Sequence, residues 1–272
     1  MSKIVPRRFD QPSIDLASAS ILITGGTGSF GSAFAKKLLT IAEPRRLVIF
    51  SRDEQKQETL ARQLKTAFPD RFDCMRFFIG DVRDASRLEM AMRDVDYVVH
   101  AAALKIVPMA EYNPFECVLT NINGAENVVK AALRTSVKRV VALSTDKAAN
   151  PINLYGATKR AADKIMVAAN NLSGRDGARF SVVRYGNVIG SRGSVVPFFQ
   201  DLLRNGAKSL PITDPRMTRF WITLDQGVAL VLSSFALMRG GEIFVPKIPS
   251  MRLAGLARAL APKLPHDVVG VR

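Results

Sequence analysis

Cysteine is scarce: only Cys74 and Cys117 occur in 272 residues. Two thiols build no disulfide framework, so a reducing, cytoplasmic compartment is expected. The two histidines, His100 and His266, stand far apart with no Cys/His ligand spacing around them, and no metal site is expected. No apolar run is long enough to span a bilayer, and Met1–Ser20 mixes charges with proline where a signal peptide needs an apolar core. Acidic residues also run short, 24 against 39 Lys and Arg, for a net charge of +15. Such an excess raises the question of nucleic acid. The cations are scattered, however, without a dense Lys/Arg block or an aromatic-interleaved patch, so neither nucleic acid nor membrane is an expected partner. The charge reads as a solvated surface or as an attraction for phosphorylated small ligands.

What is present is a globular chain: 47% apolar residues and 23% charged. That suffices for one large domain, or one domain with a smaller lobe. Short apolar runs alternate with longer amphipathic stretches. Strands are predicted at Ile21–Thr24, Arg46–Phe50, Cys74–Ile79, Tyr97–Ala101, Val140–Ser144 and Phe180–Arg184. Helices are predicted at Ser29–Ile41, from about Asp53, at Pro114–Arg134 and at Leu154–Asn170. This alternation means βαβ units: an α/β fold with a Rossmann-type, doubly wound parallel sheet. After Gly186 the text turns rich in Gly and Pro, which predicts a small C-terminal lobe. The boundaries are a lead-in over 1–19, a dinucleotide-binding domain over 20–186 and a substrate lobe over 187–272. Within the lobe, a helix at Asp225–Leu237 and a strand at Ile243–Val245 place roughly 225–246 back on the main sheet.

The first strand runs into Gly25-Gly26-Thr27-Gly28-Ser29-Phe30-Gly31. Gly25 permits the tight turn, Gly28 lets backbone approach a pyrophosphate, and Gly31 lets helix and strand pack closely. The helix start then offers free N–H groups and a favourable dipole to an anion. Thr27, Ser29 and Phe30 complete the loop. At the end of the second strand, Ser51 and Arg52 suit the 2′-phosphate of NADP, while Asp53 keeps NAD open as the acid for ribose hydroxyls. Asp81, followed by Val82, sits where an adenine amino group would lie, and it also reads as an N-cap. Ala101, Ala102 and Lys105 follow the fourth strand at the same rim of the sheet.

Tyr155 and Lys159 form YxxxK at a helix start, with phenol and ammonium on one face. A nearby cation favours the phenolate, which would make Tyr155 a base toward a sugar hydroxyl. Lys159 could also bond the nicotinamide ribose. Ser144-Thr145-Asp146-Lys147 closes the fifth strand. Thr145 supplies the hydroxyl a reductase needs. The adjacent acid and amine suggest a second proton transfer, with Asp146 as acid if burial raises its pKa and Lys147 as base if its pKa falls.

Several longer motifs are specific: TGGTGSFG (Thr24–Gly31), SRDEQKQ (Ser51–Gln57), GDVRD (Gly80–Asp84), HAAALK (His100–Lys105), STDKAANPINLYGATK (Ser144–Lys159), RYGNVIGSRGSVVPFF (Arg184–Phe199) and PITDPRMTRFW (Pro211–Trp221). From Ile21 to Arg272 the chain resembles the inverting UDP-N-acetylglucosamine 4,6-dehydratases, extended short-chain dehydrogenase/reductases that open the route to pseudaminic acid on bacterial flagellin and surface glycans. The resemblance implies that Tyr155, helped by Lys159, takes the O4 proton as hydride leaves C4 for NADP. Lys147 then removes the C5 proton and Asp146 protonates the leaving 6-hydroxyl. Hydride returns to C6, a proton reaches the opposite face of C5, and that centre inverts. Lys105, Asn187, Thr213, Arg219 and Arg272 would hold the sugar and its uridine diphosphate, and a homo-oligomer is implied.

The family usually has His where this chain has Ile106. Relatives also continue past the point matching Arg272, so the expected lobe is cut short. Two other readings stay open: a UDP-sugar 4-epimerase or reductase on the same fold, and an inactive truncated remnant that binds NADP.

Overall fold

The computed structural model describes residues 8, 9, 11–191 and 193–270. Seven strands form the main sheet: β1 (Ser20–Thr24), β2 (Arg46–Ser51), β3 (Met75–Ile79), β4 (Tyr97–His100), β5 (Arg139–Thr145), β6 (Arg179–Tyr185) and, far along the chain, β10 (Ile243–Phe244). Their spatial order is β10-β6-β5-β4-β1-β2-β3, and every pairing is parallel. This is the doubly wound arrangement, with the order reversing between β1 and β4.

Side-chain alternation along the strands divides the core into two layers. Ile21, Ile23, Leu47, Ile49, Val141 and Val183 face one side. They pack on α1 (Ser29–Ile41) through Phe34 and Leu38, on α2 (Glu54–Ala67) through Leu60 and Leu64, and on α9 (Leu224–Leu237) through Val231 and Phe235. Leu22, Val48, Phe50, Val140 and Val182 face the other. They meet α3 (Ala85–Ala91) through Leu88, α6 (Gly124–Leu133) through Val128, and α7 (Leu154–Ala168) through Ala162 and Met166. Strands buried on both faces read as continuous apolar runs, which is why these were legible.

The predicted helix over 114–134 is one continuous path with an irregular middle. It comprises α5 (Pro114–Val118), a π-helical turn over Leu119–Asn123, and α6. The π turn re-aims its side chains, a use that such turns often serve. Buried Asn121 clamps the loop after β4, accepting from Leu104 N at 2.8 Å and donating to Leu104 O at 2.9 Å. The sequence alone sets no bounds for α3 or for α4 (Val107–Tyr112). Both are short, too brief to establish a periodicity.

The remaining elements form the lobe. These are α8 (Val195–Arg204), α10 (Leu253–Leu260), the β8–β12 pair (Leu210–Ile212 with His266–Val268), and a small sheet of β7 (Asn187–Val188), β9 (Thr218–Ile222) and β11 (Ser250–Arg252). Phe199, Leu210, Ile212, Leu253, Ala257 and Ala261 make a separate apolar cluster there. β10 pairs with β6 while α9 packs on the main sheet, so this stretch of the later chain lies with the first domain.

Candidate functional site

The carboxyl ends of β1, β2, β4, β5 and β6 surround one cavity of about 630 Å³. Its lining holds Gly25, Thr27–Gly31, Ser51, Arg52, Asp81, Val82, Ala101, Ala102 and Lys105. It also holds Thr145, Lys147, Tyr155, Lys159 and Asn187. Residues spread over more than 160 positions meet here because a parallel sheet brings all its strand ends to one rim.

The glycine loop is a tight fit. Thr24 ends β1 with its hydroxyl 2.8 Å from His100 Nδ1, and it accepts from Ala101 N at 3.1 Å and Ala102 N at 3.2 Å. That knot pulls the loop after β4 against Gly25, whose φ is +65°. A Cβ at Gly25 would lie 2.8 Å from Ala102 N. Helix α1 then starts at Gly28 without a side-chain cap, whereas α2, α3, α7 and α9 are capped by Asp53, Asp84, Asn153 and Thr223. A helix start with no side-chain cap, beside a turn carrying glycine at 25, 26 and 28, fits a phosphate.

At the far corner, Ser51 is buried, and its Oγ accepts from Gln57 Nε2 at 3.1 Å. Asp53 is the cap of α2, accepting from Lys56 N at 2.9 Å and pairing with Lys56 Nζ at 2.5 Å. Lys56 lines the cavity and was not singled out from sequence. Asp81 is not the cap of α3, as one reading had it; Asp84 is, accepting from Arg87 N at 2.9 Å. Asp81 instead pairs with Arg83 at 2.6 Å and Arg52 at 3.5 Å. Burial alone would raise its pKa, but the hydrogen bonds and charge of Arg83, with Arg52 behind, hold it below the usual carboxylate range.

Across the cavity, the proton-transfer candidates stand together. Tyr155 and Thr145 line the same wall of the cavity. Thr145 Oγ1 donates to Asp146 Oδ1 at 3.0 Å, Lys147 Nζ donates to the same oxygen at 3.1 Å, and Lys147 Nζ reaches Asn187 Oδ1 at 3.4 Å. Gly156 makes this possible, because α7 starts directly on the Asp146–Ala148 turn; a Cβ there would lie 2.5 Å from Lys147 O. The Asp146 and Lys147 side chains keep 26% and 34% exposure, so neither is sealed from water. Asp146 stands behind Lys147 and outside the cavity lining.

The sign of the Tyr155 effect differs from expectation. Burial pushes its phenol up to about 12, outweighing the opposing influence of Thr145, and the nearby carboxylates of Asp146 and Asp163 add to the rise. Burial also lowers the pKa of Lys159, with Asp163 opposing it. His100, 2% exposed, is held neutral by burial, its pKa pushed down to about 3, with the charge of Lys159 adding to the fall. The unfolded chain would take up a proton below the ordinary histidine pKa while the folded ring refuses it. Stability is therefore complete above pH 6.5 and falls as pH drops toward 3. His100→Gln should remove that slope: urea unfolding at pH 4.5 should find the wild type losing about 2–3 kcal/mol, relative to pH 7, that the variant keeps.

Thr213 follows β8, half-buried, and Arg219 lies in β9 with its guanidinium on Thr218 O at 2.8 Å; neither lines the cavity. Arg272 lies outside the described residues. Sequence reasoning passed over Asp163, buried under the cavity at the same four-residue step along α7 that separates Tyr155 from Lys159. Among the described residues no helix is long and apolar enough to cross a membrane, and no group of His, Cys, Asp or Glu could hold a metal ion.

Comparison with known proteins agrees with this geometry. The model of the family described as "Polysaccharide biosynthesis protein" matches residues 21–272. The UDP-N-acetylglucosamine 4,6-dehydratase (inverting) of Campylobacter jejuni strain 81-176 is 60% identical over 93% of this chain and 74% of its own length. A UDP-glucose 4-epimerase of Rickettsia bellii is 46% identical over 89% of this chain and 70% of its own. Among solved structures, Pen from Bacillus thuringiensis superposes with a TM-score of 0.87 at 37% identity, over 95% of this chain and 79% of that one. The chain belongs to the polysaccharide biosynthesis protein family, in the extended short-chain dehydrogenase/reductase group that contains the inverting UDP-N-acetylglucosamine 4,6-dehydratases.

Proposed function

We propose that this chain is an NADP-dependent hydro-lyase that converts UDP-N-acetylglucosamine to a 4-keto-6-deoxy sugar nucleotide with inversion at C5. The observation that carries the reading is the hydrogen-bonded cluster of Thr145, Asp146 and Lys147, set in one cavity with Tyr155 and opposite the glycine loop. The Campylobacter relative's activity points the same way.

A nicotinamide nucleotide held by Gly25–Gly31, the Ser51–Arg52 corner and Lys159 would supply hydride-transfer chemistry between C4 and C6. The chain's own residues handle the protons. Tyr155 takes the O4 proton, with Lys159 as the cation that favours its phenolate. The resulting 4-ketone acidifies C5–H. Asp146 and Lys147 share one proton across their 3.1 Å contact. As an ion pair they are neither acid nor base for the step. Transfer of one proton from Nζ to Oδ1 makes both: a neutral amine to remove the C5 proton and a carboxylic acid to protonate the leaving 6-hydroxyl. After water departs, the ion pair is restored, so the elimination balances within the pair. The opposite face of C5 then takes a proton from water, which sets the inverted centre, and Tyr155 returns the O4 proton to solvent.

NADP is favoured over NAD by the corner at β2. Asp53, the acid that NAD would use, is committed to the α2 cap and to Lys56, leaving Ser51 and Arg52 to meet a 2′-phosphate. We place the reaction in the cytoplasm, in a homo-oligomer, at the entry to pseudaminic acid synthesis, on the strength of the motif resemblance.

The Rickettsia relative favours a second reading, a 4-epimerase. Epimerisation needs the O4 base but gives the Asp146–Lys147 pair no task. Incubation with UDP-N-acetylglucosamine in D2O separates the two. A product lighter by one water, carrying deuterium at C5 and the inverted configuration by NMR, is expected. A product of unchanged mass would establish the epimerase.

A further inference from the structure

We propose that Asp163 is a positioning residue for the Tyr155–Lys159 pair: its buried carboxylate is the shared counter-charge for Lys159 and Arg184 and ties down the strand end that carries Thr145 and Asp146. The inference rests on the dehydratase reading for its catalytic meaning, though not for its physical content.

Tyr155, Lys159 and Asp163 follow one another at four-residue steps along α7, which stacks phenol, ammonium and carboxylate down one face of the helix. Asp163 is 2% exposed and Lys159 is 4% exposed. Asp163 Oδ2 accepts from Arg184 Nε at 2.7 Å and from Ser144 Oγ at 2.9 Å. Arg184 lies on β6, two residues before Gly186 and the Asn187 that meets Lys147, and Ser144 immediately precedes Thr145 on β5. One carboxylate therefore joins α7, β5 and β6 beneath the cavity floor.

Its electrostatic task follows from the arithmetic of charge. Two cations stand at this buried junction with one anion. The other titratable groups around the pair offer no substitute. His100 on β4 is neutral, its pKa pushed down to about 3 by burial, with the charge of Lys159 adding to the fall. Tyr185 on β6 has its phenol pushed up by burial and carries no charge at neutral pH, while Asp146 acts on Tyr155 from the far side of Thr145. Asp163 is the group whose charge opposes the discharge of Lys159 by burial. Without it, Arg184 keeps its charge, because a guanidinium does not give up its proton in a protein. Lys159 is then the group that yields, and Tyr155 loses the cation that favours its phenolate.

The test uses the full chain labelled with [ε-13C]lysine, the Lys159 resonance being assigned by its disappearance in Lys159→Arg. Asp163→Asn, nearly isosteric, should lower the titration midpoint of Lys159 by about one pH unit or more. Asp163→Glu should restore it toward the wild-type value. Arg184→Gln, which removes the competing cation, should raise it. An unchanged midpoint in Asp163→Asn overturns the proposal. If that variant does not fold, Arg184→Gln decides, and a midpoint that stays or falls overturns it. In kinetics, the basic limb of kcat/KM for UDP-N-acetylglucosamine, where Lys159 loses its charge, should move to lower pH in Asp163→Asn, a change that loss of packing alone would not produce. A wild type whose Lys159 responds as described but which leaves UDP-N-acetylglucosamine intact would sink the dehydratase reading and spare this inference. An active enzyme whose Lys159 ignores residue 163 would do the reverse.

Discussion

Lys147→Ala and Asp146→Asn should each lower the dehydration rate of UDP-N-acetylglucosamine by about three orders of magnitude, the upper part of the range for a lost general acid or base, while NADP still binds. The two variants should fail differently. Without the amine nothing removes the C5 proton, so substrate recovered from Lys147→Ala in D2O should carry no deuterium at C5. Without the carboxylic acid the 6-hydroxyl cannot leave as water, yet Lys147, 34% exposed, can still give its proton to solvent and act as the amine. Substrate recovered from Asp146→Asn should therefore show slow C5 exchange without loss of water. This difference follows from the geometry: Lys147 lines the cavity, and Asp146 sits behind it, bonded to Lys147 Nζ at 3.1 Å and Thr145 Oγ1 at 3.0 Å. Cofactor affinity should be spared because the glycine loop and the Ser51–Arg52 corner are carried by β1 and β2, away from the end of β5. Mass spectrometry and NMR of the same reaction read both outcomes. Full dehydration by either variant would remove the proton-transfer roles assigned to the pair.

The main sheet was legible because its strands are buried on both faces. Leu22 belongs to one core layer and Ile21 and Ile23 to the other, so β1 is apolar at every position and announces itself without a period. The glycine loop was legible because Gly25 has a local reason, a positive φ against a neighbouring backbone, that any sequence carrying it must satisfy. The YxxxK pair was legible from helical spacing alone. Other features depend on partners distant in the chain. Asn121 looks like an ordinary helix residue until the π turn aims it at Leu104. Asp163 has a detectable spacing, but its partners Ser144 and Arg184 come from two other strands. The sign of the Tyr155 effect was missed for the same reason. The sequence displays the nearby lysine, whereas burial is a property of the assembled fold, and here burial is the larger influence.

Gly25→Ala and Gly28→Ala should separate the architectural part of the phosphate loop from its binding part. At Gly25 a Cβ would meet Ala102 N at 2.8 Å, Ala102 Cα at 2.9 Å and Ala101 C at 3.0 Å, all backbone, in a conformation with φ +65°. None of these atoms can swing aside, because Ala101 N and Ala102 N are both bonded to Thr24 Oγ1. The left-handed strain and the overpacking each cost about 1–3 kcal/mol, so Gly25→Ala should lose several kcal/mol of stability and its cofactor site together. Gly28 has an ordinary φ of −71°, and the nearest atom to a Cβ there is Gly25 O at 3.1 Å, a tight contact that a small shift relieves. Its Cβ would instead occupy the space in front of the uncapped α1 terminus, where the pyrophosphate is expected. Gly28→Ala should therefore unfold in urea within about 1 kcal/mol of the wild type, the usual range for a strain-free exchange of Gly for Ala, while NADP binding weakens at least tenfold. Calorimetric titration with NADP, beside urea unfolding of the same samples, tests the pair. If Gly28→Ala binds NADP as tightly as the wild type, no phosphate rests on the start of α1, and the dinucleotide must lie elsewhere along the cavity.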